Sequence, residues 1–144
     1  MTPLAKLTTW YATLTIDTLP DLHLFYAPMA TFKDPFNEVT GIPAIQKIFV
    51  HMFDTTDNPR FEFIDTIEQN SQAFVTWHFI FGLHGKEYTV KGGSHLRFDD
   101  AGLITEHRDY WDAAEELWQK LPIIGMLVRW LRGKFSVKND SRVS

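Results

Sequence analysis

The chain has 144 residues, of which 44% are hydrophobic and 15% aromatic, enough for one domain with an ordinary buried core. Its net charge of −4 argues against a nucleic-acid partner, because nucleic-acid binding needs a clustered basic surface. The sequence contains no cysteine, so disulfides and thiolate metal sites are excluded.

The first twenty residues alternate apolar side chains with Thr and Asp, and they lack the continuous apolar core of a signal peptide. No stretch approaches the roughly 20 apolar residues that a membrane-spanning helix needs. We therefore expect no integral membrane segment and a cytoplasmic location.

Two helices are predicted at the start of the chain. Thr2 and Pro3 form an N-cap and first-turn signature, and the apolar residues behind them have helical spacing. A second, short helix is predicted from Thr18 to Ala27, where Pro28 ends it.

A brief strand over 30–33 and a loop over 36–41 come next, separated by Asp34 and Pro35. Pro43 then opens a third helix, whose apolar side chains recur at helical spacing. This apolar stripe consists of Ile45, Ile48, Phe49, Met52 and Phe53.

The pattern changes to period two after residue 59, which predicts β-strands. Four strands are predicted, over residues 61–68, 72–83, 87–98 and 103–111. The short links between them contain Asn, Gly and Asp, so the strands should pair as antiparallel hairpins. Helices followed by such a sheet predict an α+β fold in residues 1–112.

The C-terminal part predicts a helical extension over 113–135 and a frayed polar tail over 136–144. Asp112 and Glu115 have capping-box spacing, and Pro122 interrupts the helix. The segment is amphipathic and basic, which suits a membrane surface or a partner. We favour docking of this helix on its own domain as a lid over a cavity.

The last predicted strand carries ionisable side chains on both faces. Alternation places His107, Asp109 and Trp111 on one face, and burying charge is costly unless it is paired or used. Same-face neighbours are ~6.5–7 Å apart at the backbone, so His107 and Asp109 can meet directly or through one water. This face indicates small-molecule binding or acid–base chemistry, although a structural polar pair or a solvated sheet face is the simpler interpretation of these residues alone.

Asp34 also has two interpretations. Asp before Pro is typical of a turn, but a carboxylate beside Phe32 and Phe36 could act as a general base at the rim of an apolar cavity. No histidine spacing typical of a metal site and no glycine-rich phosphate loop occurs, so neither a metal nor a cofactor is expected.

Three blocks of the sequence resemble the nuclear transport factor 2-like superfamily, and within it the SnoaL-like polyketide cyclases and the ketosteroid isomerases. They are YAPMATFKDP at 26–35, GIPAIQKIF at 41–49 and HLRFDDAGLITEHRDYWD at 95–112. The resemblance covers about residues 3–112. It implies a cone-shaped, curved antiparallel sheet packed against three N-terminal helices, an apolar pocket between them, and a homodimer.

The resemblance to ketosteroid isomerases is incomplete at the site. Asp34 falls on the general-base position of that enzyme type, which also uses a Tyr and a protonated Asp as an oxyanion hole. Those positions hold Trp10 (or Tyr11, if the helix is shifted by one) and Ser94. An indole N–H and a serine hydroxyl make a weaker oxyanion site, so strict steroid isomerase activity is not expected.

SnoaL-like cyclases use an acidic residue in the pocket as base, and His107 with Asp109 is similar to that arrangement. The resemblance implies these ligand-binding residues: Trp10, Tyr11, Trp77, Phe79, Ser94, Leu96 and Trp111.

Three hypotheses for the function follow. The first is an enzyme that isomerises, cyclises or (de)hydrates a small apolar cyclic molecule, with Asp34 as base and His107–Asp109 moving protons. The second is a module that binds such a molecule without catalysis. The third is a protein-interaction scaffold.

Overall fold

A computed structural model describes residues 1–112, which form one curved, unclosed six-stranded sheet with helices packed against it. The helices are α1 (Pro3–Ala12), a 3₁₀ helix (Leu19–Leu24) and α2 (Ile42–Thr55). The strands are β1 (Tyr26–Lys33), β2 (Glu38–Thr40), β3 (Asp57–Gln69), β4 (Gln72–Leu83), β5 (Lys86–Phe98) and β6 (Ile104–Tyr110). The α+β prediction is confirmed. The extension and tail predicted over 113–144 lie outside the described residues.

Both α-helices begin at signals in the sequence. The backbone N–H of Ala5 donates to Oγ1 of Thr2 at 3.1 Å, and Pro3 occupies the first turn of α1. Gly41 precedes α2 with φ of 95°, a conformation that glycine adopts without steric cost. Its N–H donates to the carbonyl of Ala30 at 2.8 Å, which ties the start of α2 to β1.

The prediction between residues 18 and 41 was wrong in three places. The second helix is a 3₁₀ helix that ends at Leu24, and β1 begins at Tyr26 rather than at residue 30. The pairing of β1 with β6 is irregular between Tyr26 and Thr31, so Pro28, which has no N–H, lies where none is needed. The predicted loop contains β2, which is too short to show a period.

The strand order in the sheet is β2-β1-β6-β5-β4-β3. β3, β4, β5 and β6 form successive antiparallel hairpins, as predicted. β1 and β6 instead pair in parallel, with Phe32 opposite His107, which corrects the expectation of a purely antiparallel sheet. These two strands are joined by most of the fold and not by a hairpin turn, so their directions are not forced to oppose.

The core lies between the inner face of the sheet and the helices. It contains inward-facing side chains such as Val75 and Trp77 of β4 and Leu96 of β5, packed against α1 and α2. Aromatic rings occupy much of this space. None of the helices within residues 1–112 combines the length and apolar content that crossing a bilayer requires.

Candidate functional site

The inner face of β6 carries the two polar side chains that the sequence singled out. His107 is 6% exposed and the side chain of Asp109 17% exposed. Their side chains meet directly, with Nε2 of His107 2.6 Å from Oδ1 of Asp109. On β5, Leu96 lies opposite His107 and Ser94 opposite Asp109, so the pair is held in the middle of the sheet.

Hydrogen bonds extend from this pair in two directions. The hydroxyl of Tyr26 is 2.6 Å from Nδ1 of His107 and 2.5 Å from the hydroxyl of Tyr11. On the other side, Ser94 Oγ donates to Oδ1 of Asp109 at 2.5 Å, and the indole N–H of Trp77 donates to Ser94 Oγ at 2.9 Å. Six side chains therefore form one continuous chain of hydrogen bonds.

With Asp109 ionised and His107 neutral, every bond in this network has one direction. His107 must donate through Nε2, which leaves Nδ1 to accept from Tyr26. Tyr26 in turn accepts from Tyr11. Burial raises the pKa of both phenols well above their ordinary range, so they remain protonated donors.

Only one oxygen of the Asp109 carboxylate accepts hydrogen bonds from this network. Oδ1 accepts from His107 and from Ser94. Within residues 1–112, Oδ2 has no hydrogen-bond partner. A carboxylate can accept on both oxygens, so Oδ2 is the acceptor that is left for a ligand or a reacting proton.

A cavity of about 40 Å³ adjoins these groups between the helices and the inner face of the sheet. Its lining is mostly apolar, and Asp109 and His107 contribute ionisable side chains to it. The volume is small compared with the roughly 300–1,000 Å³ of clefts that hold drug-sized ligands. The lining residues are Leu7, Thr8, Tyr11, Phe49, Phe61, Phe63, Val75, Trp77, Ser94, Leu96, His107 and Asp109.

Aromatic rings meet at steep angles around this cavity. The ring centroids of Phe61 and Tyr11 are 5.7 Å apart with an interplanar angle of 76°, and those of Phe61 and Trp77 are 5.9 Å apart at 88°. Edge-to-face contacts of this kind are favourable arrangements of aromatic rings. These contacts hold the rings of Tyr11, Phe61 and Trp77 against one another where they line the cavity.

Asp34 is placed differently from the other predicted catalytic residues. Its Oδ1 accepts from the backbone N–H groups of Phe36 at 2.8 Å and Asn37 at 2.6 Å, which is the turn interpretation. It is not among the side chains that line the cavity. Burial, and then the charge of Asp109, raise the pKa of Asp34 to about 6. Its role as a general base stays a prediction.

Four of the seven predicted ligand-binding residues line the cavity: Tyr11, Trp77, Ser94 and Leu96. The other three pack elsewhere. Trp10 stacks on Phe25 at 4.9 Å, Phe79 stacks on Phe61 at 4.9 Å, and Trp111 meets Phe36 edge-on at 5.5 Å. Of the two candidates for the tyrosine position, Tyr11 is therefore the one beside the cavity, while Trp10 donates its indole N–H to the carbonyl of Thr18.

Sequence reasoning missed Tyr26, which is fully buried and bonded to His107. Tyr26 begins the block at 26–35 that resembles the family, and this position was the only sign of its importance in the sequence. Its partner, His107, lies 81 residues away. In the part of the chain that the structure describes, no three His, Asp or Glu side chains are grouped so that they could hold a metal ion.

Comparisons with solved structures place this fold among known ones. A ketosteroid isomerase-like protein from Catenulispora acidiphila, solved with trimethylamine, is 19% identical, with a TM-score of 0.68 over 78% of this chain and 89% of that one. A nuclear transport factor 2-like protein of unknown function from Burkholderia pseudomallei is 18% identical, with a TM-score of 0.69 over 81% and 95%.

An epoxide hydrolase-like protein from M. tuberculosis is 12% identical, with a TM-score of 0.69 over 88% of this chain and 96% of that one. At these identities the likeness concerns the fold alone. Among curated protein sequences, none matches the chain. A sequence profile of the SnoaL-like domain matches residues 7–107, well over half of the chain. The chain therefore belongs to the SnoaL-like domain family, with the nuclear transport factor 2-like fold.

Proposed function

We propose that this protein is a cofactor-independent enzyme that moves protons on a small, mostly apolar molecule, with Asp109 as the general base. The observation that carries the proposal is the state of the Asp109 carboxylate. One oxygen is held by His107 and Ser94, the other has no hydrogen-bond partner within residues 1–112, and the side chain lines an aromatic cavity. A positioned carboxylate of this kind contributes typically 10²–10⁴-fold to a proton transfer.

Two reactions suit this arrangement. In the first, Oδ2 removes a proton from a carbon next to a carbonyl, and the electron pair moves onto the carbonyl oxygen. The hydroxyl of Tyr11 lines the same cavity, and it can donate to that oxygen by exchanging its hydrogen bond to Tyr26 for one to the substrate. Returning the proton to another carbon completes an isomerisation. In a cyclisation the enolate carbon instead bonds to a second carbonyl carbon of the same molecule, and Asp109 returns the proton to the oxygen of that carbonyl group.

In the second reaction, Oδ2 removes a proton from a water molecule, whose oxygen bonds to an epoxide carbon of the substrate. The ring C–O bond at that carbon breaks, and the ring oxygen takes the proton from Asp109 to give a diol. The fold is shared with an epoxide hydrolase-like protein, which supports this version. In both reactions His107 holds Asp109 in place through Nε2, and Tyr26 fixes the orientation and tautomer of the imidazole.

The test is the exchange of the α-protons of cyclopentanone for deuterium in D₂O, followed by ¹H NMR. This ketone is small, cyclic and apolar, and it needs only a general base. The wild-type protein should accelerate exchange above the buffer rate, and Asp109→Asn should lower the catalysed rate about 100-fold or more. Glu106→Gln is the matched control, because Glu106 is an exposed carboxylate on the outer face of the same strand.

The second reaction, the addition of water, is tested with cyclopentene oxide. Formation of the diol is measured for the wild type, Asp109→Asn and Glu106→Gln. Activity in either assay that depends on Asp109 supports the proposal. If the wild-type protein accelerates neither reaction, the proposal fails, and the chain is better described as a module that binds a small ligand without transforming it.

A further inference from the structure

Two properties of the cavity beside Asp109 favour a positively charged ligand: its aromatic lining and the acidic groups near it. Three of its walls are the rings of Tyr11, Phe61 and Trp77, set at interplanar angles of 76° and 88°. Phe49 and Phe63 also line it. The face of an aromatic ring carries negative partial charge and attracts cations within about 6 Å of its centre.

The ionisable groups near the cavity are mostly acidic. Neither Lys nor Arg lines it among residues 1–112, whereas Asp109 presents an oxygen with no partner there. His107 is neutral when it accepts from Tyr26 and donates to Asp109. Asp34 adds a second carboxyl group close enough for the charge of Asp109 to raise its pKa.

The size of the cavity limits the ligand. A water molecule needs roughly 10–15 Å³ of such volume, so the cavity of about 40 Å³ holds a compact group and not a fused ring system. A quaternary ammonium with four methyl groups has this compact, rounded shape. Its methyl groups can contact the rings while its charge faces the carboxylate.

We propose that the cavity binds a small organic ammonium group, of the size of a tri- or tetramethylated amine, between the rings of Tyr11, Phe61 and Trp77 and the free oxygen of Asp109. The inference rests on the proposed function for its site, and it adds that the ligand or the bound part of it carries positive charge. Strongly hydrated cations such as K⁺ gain less there, because the aromatic walls cannot replace their water.

Isothermal titration calorimetry with tetramethylammonium chloride tests the proposal. The neutral comparison is tert-butanol, which has the same number of heavy atoms, and potassium chloride controls for ionic strength. We expect tetramethylammonium to bind at least tenfold more tightly than tert-butanol. The indole N–H of Trp77, observed by ¹H–¹⁵N NMR, should shift during the same titration, because this side chain lines the cavity.

Two variants separate charge from shape. Asp109→Asn should weaken tetramethylammonium binding at least tenfold and tert-butanol binding much less, because an amide still offers the alcohol a hydrogen-bonding partner, while Glu106→Gln should change neither. Phe61→Leu keeps an apolar wall but removes a ring face, so it should weaken binding of the cation more than that of the alcohol. The dispersion of the NMR spectrum shows whether each variant is folded.

Three results would overturn the inference: equal affinity for the cation and the alcohol, undiminished cation binding in Asp109→Asn, or no binding of tetramethylammonium. None of them bears on the proposed base chemistry, because proton exchange from cyclopentanone is measured separately on a neutral molecule. Conversely, cation binding without any exchange would support the inference and contradict the proposed catalysis.

Discussion

Asp34 combines a structural and an electrostatic role in one side chain. Its carboxylate accepts two backbone N–H groups in a turn, which favours the charged form. Burial and the charge of Asp109 act in the opposite direction, and they prevail, because the pKa rises from an ordinary 3.8 to about 6. A raised carboxyl pKa makes the folded state bind this proton more tightly than the unfolded state.

This shift predicts a pH dependence of stability. Between about pH 4 and pH 6 the folded protein holds more protons on Asp34 than the unfolded chain, so the free energy of unfolding falls as the pH rises. A shift from 3.8 to about 6 corresponds to about 3 kcal/mol. In Asp34→Asn this contribution is absent, while the amide oxygen can still accept in the turn.

Urea unfolding of both proteins at pH 4, 5, 6 and 7 measures the difference. The wild-type protein should lose up to about 3 kcal/mol relative to Asp34→Asn between pH 4 and pH 7. A difference that does not change with pH, or that changes in favour of the wild type, would contradict the raised pKa.

The position of two site residues, His107 and Asp109, was predicted from the sequence. Alternation along one strand was sufficient to place His107 and Asp109 together on the inner face, because a strand has a fixed period of two. The hydrogen bonds that hold Oδ1 of Asp109 involve Ser94 from β5, and Tyr26 from β1 acts on them through His107. These partners are distant in the sequence, and only the folded sheet brings them together.

Among the secondary-structure elements, the long hairpins were predicted from the alternation of apolar and polar residues, whereas the region of β1 and β2 was not. The predicted strand over 72–83 coincides with β4, whose alternating burial is visible in the sequence. β2 has three residues, and the pairing of β1 with β6 joins segments about 75 residues apart, as in the pair Phe32 and His107. No local pattern encodes a parallel pairing at that distance.

Two adjacent glycines in β5 show how the sheet accommodates its aromatic side chains on both faces. A Cβ on Gly92 would lie 2.5 Å from Cη2 of Trp77, on the cavity side. A Cβ on Gly93 would lie 2.7 Å from Cε1 of Phe74, which is 36% exposed on the other face. The buried indole is held by its hydrogen bond to Ser94 and by packing against Phe61, whereas the exposed ring can rotate towards solvent.

Gly92→Ala should therefore destabilise the protein by about 1–3 kcal/mol and displace the indole that donates to Ser94. Gly93→Ala, its matched control, should cost less. Urea unfolding gives the stabilities, and the ¹H–¹⁵N signal of the Trp77 indole reports the displacement. An unmoved indole signal in Gly92→Ala, or equal costs at the two positions, would show that Gly92 is not required for this packing.

At the scale of the whole molecule, the outer face of the sheet carries partly exposed aromatic rings. Phe74 and Tyr110, which are 36% and 47% exposed, have ring centroids 6.4 Å apart. The guanidinium of Arg108 lies 4.9 Å from the ring of Tyr110. The homodimer that the family resemblance implies stays a prediction, and we propose this patch as its centre.

Sedimentation velocity tests this proposal. The wild-type protein should sediment as a dimer, and Phe74→Glu as a monomer, because a carboxylate buried at an interface without a partner costs several kcal/mol. Ile16→Glu changes another exposed apolar residue, in a turn after α1, and should leave the dimer intact. A monomeric wild type, or a dimeric Phe74→Glu, would contradict the proposed interface.

The rate of α-proton exchange of cyclopentanone in D₂O, measured side by side for the wild type and Asp109→Asn, shows whether Asp109 is the general base. If Asp109 is the general base, the wild type exceeds the buffer rate and the variant loses about 100-fold or more of the catalysed exchange. Equal rates in the two proteins would show that Asp109 is not the general base and would leave the cavity as a binding site alone.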